Sequence, residues 1–339
     1  MKRAGHLLPA ILSPDNLRRA FWQAARGKRD RESVRAFADN LEGNLAAMQR
    51  DVLAGVFETG RFTRFEVRDP KPRMIHAAAF PERVFQHALF NVCGPVLERW
   101  LVDDTFACRT GKGLRGLWER TEGFCRRYGW FLKMDIARYF DSVEQERLLV
   151  LLERRFKDRA VLGCFEKIIR SYQTEPGRGL PIGSLASQHF ANFYLGHLDR
   201  WVKQGLRCRG YVRYMDDFVL WAEQPTCLRG WQQAITEFVG KELGLAIKAE
   251  PQIGRTARGL DLCGYRFFPR RVELTRRSKL RFRRRLRCYD RLAATGRLTE
   301  ATYQERVTAL VAFTSRAHAK IFRQRVLAEA TGCGQKNGV

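Results

Sequence analysis

Two apolar segments that have the pattern of buried β-strands carry aspartates, and this feature limits the possible folds more than any other. Asp135 lies near the end of the run 130–136, WFLKMDI, and Asp216 and Asp217 form the centre of 210–221, GYVRYMDDFVLW, which predicts a β-hairpin. An ionised carboxylate in such surroundings is costly unless it is paired or bound to a metal. Because two adjacent aspartates repel each other, a nearby cation would stabilise both. Hard oxygen ligands prefer Mg²⁺ or Mn²⁺, so the sequence predicts a divalent-cation site.

The Asp216–Asp217 pair also fits an ordinary hairpin turn, where aspartate is common. Apolar and aromatic residues flank the pair on both sides and Asp135 adds a carboxylate from another strand, which favours the metal site. Carboxylates from two strands can hold two metals roughly 3.5–4 Å apart, the arrangement used for in-line phosphoryl displacement. One metal would lower the pKa of an attacking 3′-hydroxyl, and the other would hold a triphosphate. The pattern therefore predicts nucleotidyl transfer.

The chain is strongly basic, with 62 Lys and Arg against 36 Asp and Glu and a net charge of +26. Half of this excess lies in 270–325, which holds 17 basic and 4 acidic residues. Nucleic acid is the leading partner for such a charge, and an anionic membrane surface is the second. The segment 276–287 could also be a solvated helix face, but its eight basic residues are accompanied by no acidic one. No uninterrupted apolar run reaches 18 residues, which argues against a membrane-spanning helix.

Hydrophobic periodicity divides the chain into three parts. We predict a helical N-terminal extension over 1–60, a mixed α+β centre over 61–270 and a basic helical part over 271–339. The nine cysteines form no CxxC pair, which argues against a zinc ribbon or a disulfide framework and favours a reducing compartment. Within the centre and the basic part, we expect strands at 66–68, 74–76, 130–136 and 262–268, a break at 69–73, a loop at 176–183, a hairpin at 210–221 and a helix from 276.

Six sequence blocks resemble, in the same order, those of reverse transcriptases. The segment 214–217, YMDD, resembles their YxDD box, and 133–142, KMDIARYFDS, is similar to their first catalytic block. The resemblance extends over about 66–270 and implies a right-hand polymerase, with α+β fingers, a ferredoxin-like antiparallel palm and a helical thumb. The other four blocks are 71–75 (KPRMI), 106–113 (FACRTGKG), 243–248 (LGLAIK) and 262–267 (LCGYRF).

One block resembles a particular group of these enzymes. Most reverse transcriptases carry Gln between Pro and Gly in the loop before the long palm helix, whereas 179–188, GLPIGSLASQ, has Ile182 there. This block and 189–195, HFANFYL, resemble the reverse transcriptases of diversity-generating retroelements. The resemblance implies an RNA-directed DNA polymerase that copies a template-repeat RNA into cDNA, misincorporates opposite adenines and diversifies a target gene. Since Gln donates and accepts hydrogen bonds but Ile only packs, the change removes a directional contact and weakens discrimination against misaligned pairs.

The resemblance also implies roles for single residues. Phe140 matches a steric gate against the 2′-hydroxyl, although an ordinary core aromatic remains open; Lys248 could equally be a surface lysine, and Arg109 and Lys112 a solvated loop. The implied set is catalytic Asp135, Asp216 and Asp217; metal ligands Asp135, Ile136, Asp216 and Asp217 for two Mg²⁺ (or Mn²⁺); nucleotide-binding Arg73, Lys71, Phe140, Ile182 and Lys248; primer-grip Cys263, Gly264 and Tyr265; and nucleic-acid-binding Arg109, Lys112, Arg276, Arg277, Lys279, Arg281, Arg283, Arg284, Arg285 and Arg287.

The same resemblance implies the partners: a template-repeat RNA, the cDNA/RNA duplex, deoxynucleoside triphosphates and a small, basic, oligomeric accessory variability protein, but no membrane. We expect the protein in the cytoplasm of a bacterial or phage-infected cell. Two alternatives stay open. One is a group II intron-like or defence-associated reverse transcriptase, and the other is an RNA-binding scaffold with a spent polymerase site.

Overall fold

The computed structural model describes residues 2–68 and 72–332 as helices and mostly antiparallel strands, which confirms the α+β class. Within this described part, no helix is long and apolar enough to cross a bilayer. In chain order the elements are α1 (Leu8–Ile11), α2 (Pro14–Ala25), α3 (Glu32–Ala38), α4 (Leu41–Leu53), β1 (Phe62–Arg68), β2 (Pro72–Ala78), α5 (Phe80–Glu98), α6 (Gly113–Arg127), β3 (Trp130–Asp135), α7 (Tyr139–Ser142), α8 (Gln145–Glu153), α9 (Arg159–Arg170), α10 (Leu185–Gln204), β4 (Gly210–Tyr214), β5 (Asp217–Ala222), α11 (Pro225–Leu243), β6 (Gln252–Arg255), a 3₁₀ turn (Thr256–Arg258), β7 (Leu260–Leu262), β8 (Tyr265–Phe267), β9 (Val272–Leu274), α12 (Arg276–Ala294), α13 (Glu300–Ser315) and α14 (Lys320–Gly332).

The chain divides into two compact units, and each is discontinuous in sequence. The first comprises Met1–Gly113, Met134–Phe218 and Gly230–Pro251, and the second comprises Leu114–Lys133, Val219–Arg229 and Gln252–Val339. Strands β3 and β5 each contribute residues to both units. The division into 1–60, 61–270 and 271–339 stays a prediction.

The first unit has a core of phenylalanine rings between its helices. The Phe165 ring of α9 lies 5.1 Å from that of Phe156 and 5.4 Å from that of Phe190 on α10. Phe90 of α5 adds a further contact, 5.3 Å from Phe190. Each such buried ring stabilises the fold by about 1.5–3 kcal/mol. This core holds α10 in place, and the loop that precedes α10 carries the residues of the candidate site.

The central sheet has the strand order β4-β5-β3-β6. Strand β3 pairs with β6 in antiparallel register, with Trp130 opposite Arg255. Strands β4 and β5 are joined by the two residues Met215 and Asp216, which confirms the predicted hairpin. Because β5 is the neighbour of β3, the start of one strand lies beside the end of the other.

The β1–β2 hairpin is longer than the sequence suggests. Its strands pair in antiparallel register, with Phe65 opposite Ile75 and Val67 opposite Arg73. Pro72 and Arg73, expected in a break, begin strand β2 instead. The proline is tolerated because it is the first residue of the strand.

The second unit contains the antiparallel sheet β7-β8-β9 and the helices α12–α14. The single strand expected at 262–268 is wrong, because the chain turns at Cys263 (φ 47°) and Gly264 (φ 88°) and forms a β7–β8 hairpin. A side chain at Gly264 would begin 2.7 Å from the Ser278 hydroxyl, so the close packing requires glycine.

Helix α12 begins as predicted at Arg276, because Thr275 accepts a hydrogen bond from the backbone N–H of Ser278 at 3.2 Å. Phe282 and Leu286 are buried against Val326 of α14. The arginines take the rest of the helix surface.

Candidate active site

The carboxylates of Asp135 and Asp216 meet at the end of β3. Asp135 is the last residue of that strand, and Asp216 lies in the turn between β4 and β5. Burial first, and then the negative charges of Asp135 and Asp217, raise the pKa of Asp216 to about 6. The two carboxyl groups are within hydrogen-bonding range of each other. The structure therefore brings together two acids that repel each other unless a proton or a cation lies between them.

These residues fit a divalent cation. The Oδ1 atom of Asp135 is buried and accepts no hydrogen bond within the described part of the chain, so a lone pair is left for a ligand. In residues 2–68 and 72–332, no three His, Cys, Asp or Glu side chains form a metal-binding group. Two carboxylates suffice for Mg²⁺ when substrate phosphates and water complete its coordination.

Asp217 and Ile136 adjoin this pair. Asp217 begins β5, and its charge adds to the electrostatic pressure on Asp216. The Ile136 side chain is buried and apolar, so only its backbone carbonyl could bind a metal. Its backbone is fixed by a bridge to Ile247. Their roles as metal ligands stay predictions.

Lys248 lies beside the acidic pair. The backbone carbonyl of Asp135 accepts a hydrogen bond from the Lys248 N–H at 2.8 Å. The Lys248 ammonium lies 3.2 Å from the Asp135 Oδ2 atom and its side chain remains 58% exposed. A backbone hydrogen bond from Ala137 to Ala246 continues this pairing of the two segments. The half-exposed ammonium can therefore pair with Asp135 and still donate to a phosphate.

A buried ion pair, which the sequence analysis missed, supports the turn that carries Asp216. The Arg213 guanidinium is fully buried and lies 2.7 Å from both carboxylate oxygens of Asp199 on α10. Its Nη1 atom donates to the backbone carbonyl of Met215 at 2.9 Å. Met215 has a left-handed backbone (φ 57°), which is uncommon for a residue other than glycine. The arginine thus stabilises a turn conformation that the local sequence does not favour.

The partners of Asp199 complete this network. Its carboxylate also accepts hydrogen bonds from the Tyr211 hydroxyl at 2.6 Å and the Thr105 hydroxyl at 2.6 Å. Asn192 accepts from Arg213 through both its side chain and its backbone, each at 3.0 Å. The sequence signal was present, since Arg213 interrupts an apolar strand as Asp135 does.

The predicted steric gate and the loop with Ile182 are linked by backbone hydrogen bonds. The carbonyl of Phe140 accepts from Leu180 at 2.8 Å, and the carbonyl of Ile182 accepts from His76 of β2 at 2.7 Å. Gly183 has φ 108°, and a side chain there would begin 2.5 Å from Ile75. The structure therefore joins α7, the loop and β2, which carry three of the predicted nucleotide-binding residues.

Gln86 anchors the same loop from below. Its side-chain carbonyl accepts hydrogen bonds from the Ser184 hydroxyl at 3.0 Å and from the Ala186 N–H at 3.2 Å. Its amide donates to Glu82 at 3.0 Å, and burial raises the pKa of Glu82. A buried amide in this position fixes the start of α10 and with it the backbone at Ile182.

The remaining fingers residues have different surroundings. Arg73 is exposed on β2, and Lys71 lies outside the described residues. The Arg109 side chain is only 8% exposed, and its Nη1 atom donates to the carbonyls of Val102 at 2.6 Å and Thr105 at 3.0 Å. This placement favours a structural role for Arg109 over the predicted phosphate contact.

Lys112, the other basic residue predicted in that loop, makes local contacts. Its ammonium donates to the backbone carbonyl of Asp103 at 3.1 Å and lies 5.7 Å from the centre of the Phe106 ring. Its phosphate contact stays a prediction.

The primer-grip residues form the β7–β8 turn. The Gly264 carbonyl accepts hydrogen bonds from the Ser278 hydroxyl at 2.7 Å and the Thr275 N–H at 3.1 Å, which attaches the turn to α12. The Tyr265 side chain is buried, and its hydroxyl donates to the carbonyl of Phe313 at 2.6 Å. Tyr265 thus holds α13, while the backbone at Cys263 and Gly264 is left for a primer contact.

The basic residues of α12 are unequal in exposure. Arg283 is half-buried, and its guanidinium lies 5.5 Å from the centre of the Phe322 ring. Lys279 and Arg285 are also half-buried. The fully exposed members are Arg276, Arg277, Arg281, Arg284 and Arg287.

Residues 69–250, more than half of the chain, match the family described as reverse transcriptase (RNA-dependent DNA polymerase). The chain belongs to the reverse transcriptase family, which confirms the enzyme class predicted from the sequence.

The curated relatives are proteins of mitochondrial introns or are named for an intron. The putative COX1/OXI3 intron 1 protein of Saccharomyces cerevisiae is 23% identical over 181 residues, which cover 49% of this chain and 21% of the relative. The putative COX1/OXI3 intron 2 protein of the same yeast is 27% identical over 90 residues, or 23% of this chain and 10% of the relative. An uncharacterized 91 kDa protein in the cob intron of Schizosaccharomyces pombe is 32% identical over 80 residues, or 22% and 10%. The chain thus spans about a fifth or less of the length of these relatives.

One similar solved structure is the apo telomerase of Candida tropicalis. It is 9% identical, the match covers 64% of this chain and 49% of that chain, and the TM-score is 0.49. A likeness of this strength carries no argument.

Proposed function

We propose that this protein is an RNA-directed DNA polymerase that extends a primer on an RNA template. The contact between the carboxylates of Asp135 and Asp216, with one buried oxygen left unpartnered, is the observation that carries the proposal. Two Mg²⁺ ions, with Mn²⁺ as the alternative, would be held by Asp135 and Asp216, with Asp217 and the Ile136 carbonyl as further candidates. Bound there, they would lower the pKa of the primer 3′-hydroxyl and neutralise charge on the departing pyrophosphate.

The residues of the chain supply the rest of the chemistry. Lys248 lies next to Asp135 with protons to spare, so it can act as general acid toward the pyrophosphate. Arg73, exposed on β2, presents a planar guanidinium suited to the triphosphate. The backbone at Cys263 and Gly264 would support the primer end.

We further propose that the protein is the polymerase of a diversity-generating retroelement, which copies a template-repeat RNA with errors at adenines. The support is Ile182, whose backbone is held by His76 and by the Gln86 anchor while its half-buried side chain has no hydrogen-bonding group. The proposed partners are the template-repeat RNA, its cDNA duplex and a small basic accessory protein, in the cytoplasm of a bacterial host.

The experiment that tests this proposal is primer extension with purified protein, an RNA template, Mg²⁺ and the four deoxynucleoside triphosphates, followed by sequencing of the cDNA. We expect DNA synthesis with substitutions concentrated opposite template adenines. A second candidate is a group II intron-like enzyme, which the similarity to proteins of yeast introns favours. Synthesis with errors spread evenly over the four template bases would support that candidate and contradict the retroelement proposal.

Replacing Ile182 with Gln is expected to lower misincorporation at adenines about fivefold, because one restored hydrogen bond contributes about 1 kcal/mol. Ile182→Leu keeps an apolar side chain of the same size and is the matched control. The measurement is the error frequency per template base in sequenced cDNA. An unchanged frequency at adenines in Ile182→Gln would remove the link between this residue and fidelity.

Replacing Phe140 with Ala is expected to raise the incorporation of ribonucleotides relative to deoxynucleotides by roughly 10–100-fold, because the ring no longer occupies the space of a 2′-hydroxyl. The measurement is kcat/KM for each nucleotide pair. Phe140→Tyr keeps the ring and should retain selectivity. If the alanine variant discriminates as the parent does, Phe140 is a core aromatic.

A further inference from the structure

The second unit contains an open cleft that the polymerase chemistry does not use. It has a volume of about 550 Å³ and lies along β6, the 3₁₀ turn and β8. Strand β6 is the last strand of its sheet in the described part of the chain, so one of its edges faces this cleft. We call it the arginine cleft and define it by Trp130, Arg255, Arg258 and Arg266, with Gly254 and Gly259 in its wall.

The cleft carries an excess of positive charge. Arg255 and Arg258 form no ion pair with any residue among 2–68 and 72–332. Arg266 has Asp261 at 3.6 Å and donates to the backbone carbonyl of Arg258 at 3.1 Å, which holds its guanidinium at the cleft. Three guanidinium groups thus face one shared space with a single carboxylate nearby, which attracts an anion.

Close packing builds this surface. A side chain at Gly259, where φ is 92°, would begin 2.7 Å from the Arg266 Nε atom, and one at Gly254 would begin 2.7 Å from the Phe131 ring. The Arg255 guanidinium lies 5.0 Å from the centre of the Trp130 ring. Both glycines therefore leave room for the arginine and the aromatic rings, and the stacked Arg255–Trp130 pair presents a flat surface.

These features match single-stranded RNA. Guanidinium groups bind phosphates through paired hydrogen bonds. Aromatic rings and guanidinium planes stack on unpaired bases, at about 1–3 kcal/mol per base. The cleft volume falls in the range of roughly 300–1,000 Å³ that holds small ligands, so one or two nucleotides would fill it. An acidic peptide added to the edge of β6 is a poorer fit, because that strand has four residues and includes Gly254.

We propose that the arginine cleft binds a single-stranded segment of RNA, with Arg255, Arg258 and Arg266 on its phosphates and a base stacked on the Arg255–Trp130 pair. The inference rests on the proposed use of RNA by this protein, and it adds an RNA contact made by residues outside the catalytic pair. Polymerisation on a short duplex needs no such contact, whereas capture of a longer RNA with unpaired segments does.

The test compares two triple variants of the full-length protein. The first is Arg255→Gln/Arg258→Gln/Arg266→Gln. The control is Arg19→Gln/Arg26→Gln/Arg35→Gln, which removes the same charge from exposed positions of the first unit. Fluorescence anisotropy measures binding of a labelled unstructured RNA of about ten nucleotides at several salt concentrations. Primer extension on a short RNA–DNA duplex is measured in parallel.

We expect the cleft variant to bind the RNA at least tenfold more weakly than the control variant at 150 mM salt, with a lower salt dependence, and to extend the short duplex as the parent does. RNA carrying 4-thiouridine should also cross-link to peptides within 130–133 or 252–266 in the parent protein. Equal losses in the two triple variants, or cross-links only elsewhere, would overturn the cleft assignment. Absence of DNA synthesis by the parent protein would instead reject the proposed function, so the two failures are distinguishable.

Discussion

Replacing Asp216 with Asn is expected to lower kcat for DNA synthesis by about 10³-fold or more, because loss of a metal-holding carboxylate removes several kcal/mol of transition-state stabilisation. The amide keeps the size of the side chain but not its charge. The measurement is single-turnover extension of a primer on an RNA template. Asp51→Asn, which changes an exposed carboxylate on α4, is the matched control and should retain activity.

The same variant separates loss of chemistry from loss of folding. Burial and the neighbouring carboxylates raise the pKa of Asp216 to about 6. A raised pKa means that the group favours the folded state below its unfolded value near 4, and that this contribution is lost as the pH rises through 6. In EDTA at pH 7.5, Asp216→Asn should therefore unfold at the same temperature as the parent or a higher one, with the difference shrinking below pH 5. An inactive variant that unfolds well below the parent would be a folding defect, and full activity in Asp216→Asn would contradict the assignment of the active site.

Replacing Arg213 with Met is expected to destabilise the protein by about 3–5 kcal/mol, because it leaves the Asp199 carboxylate buried without its partner. It also removes the hydrogen bond to the Met215 carbonyl, so the turn that positions Asp216 is no longer fixed. We expect kcat to fall and the Mg²⁺ concentration for half-maximal activity to rise. Thermal unfolding and Mg²⁺ titrations of primer extension measure the two effects.

Two further variants distinguish positioning from folding. The double variant Arg213→Met/Asp199→Leu removes both buried charges and should recover part of the lost stability without recovering the Mg²⁺ dependence. Tyr211→Phe removes one hydrogen bond to the same carboxylate without touching the turn, and it should keep the parental Mg²⁺ dependence. If the double variant regains activity together with stability, the ion pair serves folding alone.

The catalytic pair and its hairpin could be predicted from the sequence because charged residues in apolar strands are rare and costly. The same reasoning applied to Arg213 would have found the ion pair, but its partner Asp199 lies in a helix 14 residues earlier, and only the folded chain shows that they meet. The family resemblance located the loop with Ile182, whereas its anchor Gln86 is 98 residues from Ser184 and has no local signal.

Other differences have local causes. The strand expected at 262–268 is interrupted because Cys263 adopts a left-handed backbone, a conformation that its side chain does not suggest. Gly264, next to it, was the signal for a turn. Arg109 was assigned to phosphate by its place in a motif, and its burial against two backbone carbonyls follows from packing that no motif records.

The most direct test of the central claim is the binding of Mn²⁺, followed by the loss of the free-ion signal in electron paramagnetic resonance, with primer–template and a deoxynucleoside triphosphate present. The account predicts that the parent protein and Asp51→Asn bind Mn²⁺ with similar affinity, and that Asp135→Asn/Asp216→Asn loses this binding while remaining folded. Equal Mn²⁺ binding by the double variant and the parent would contradict the claim that these two carboxylates hold the ions.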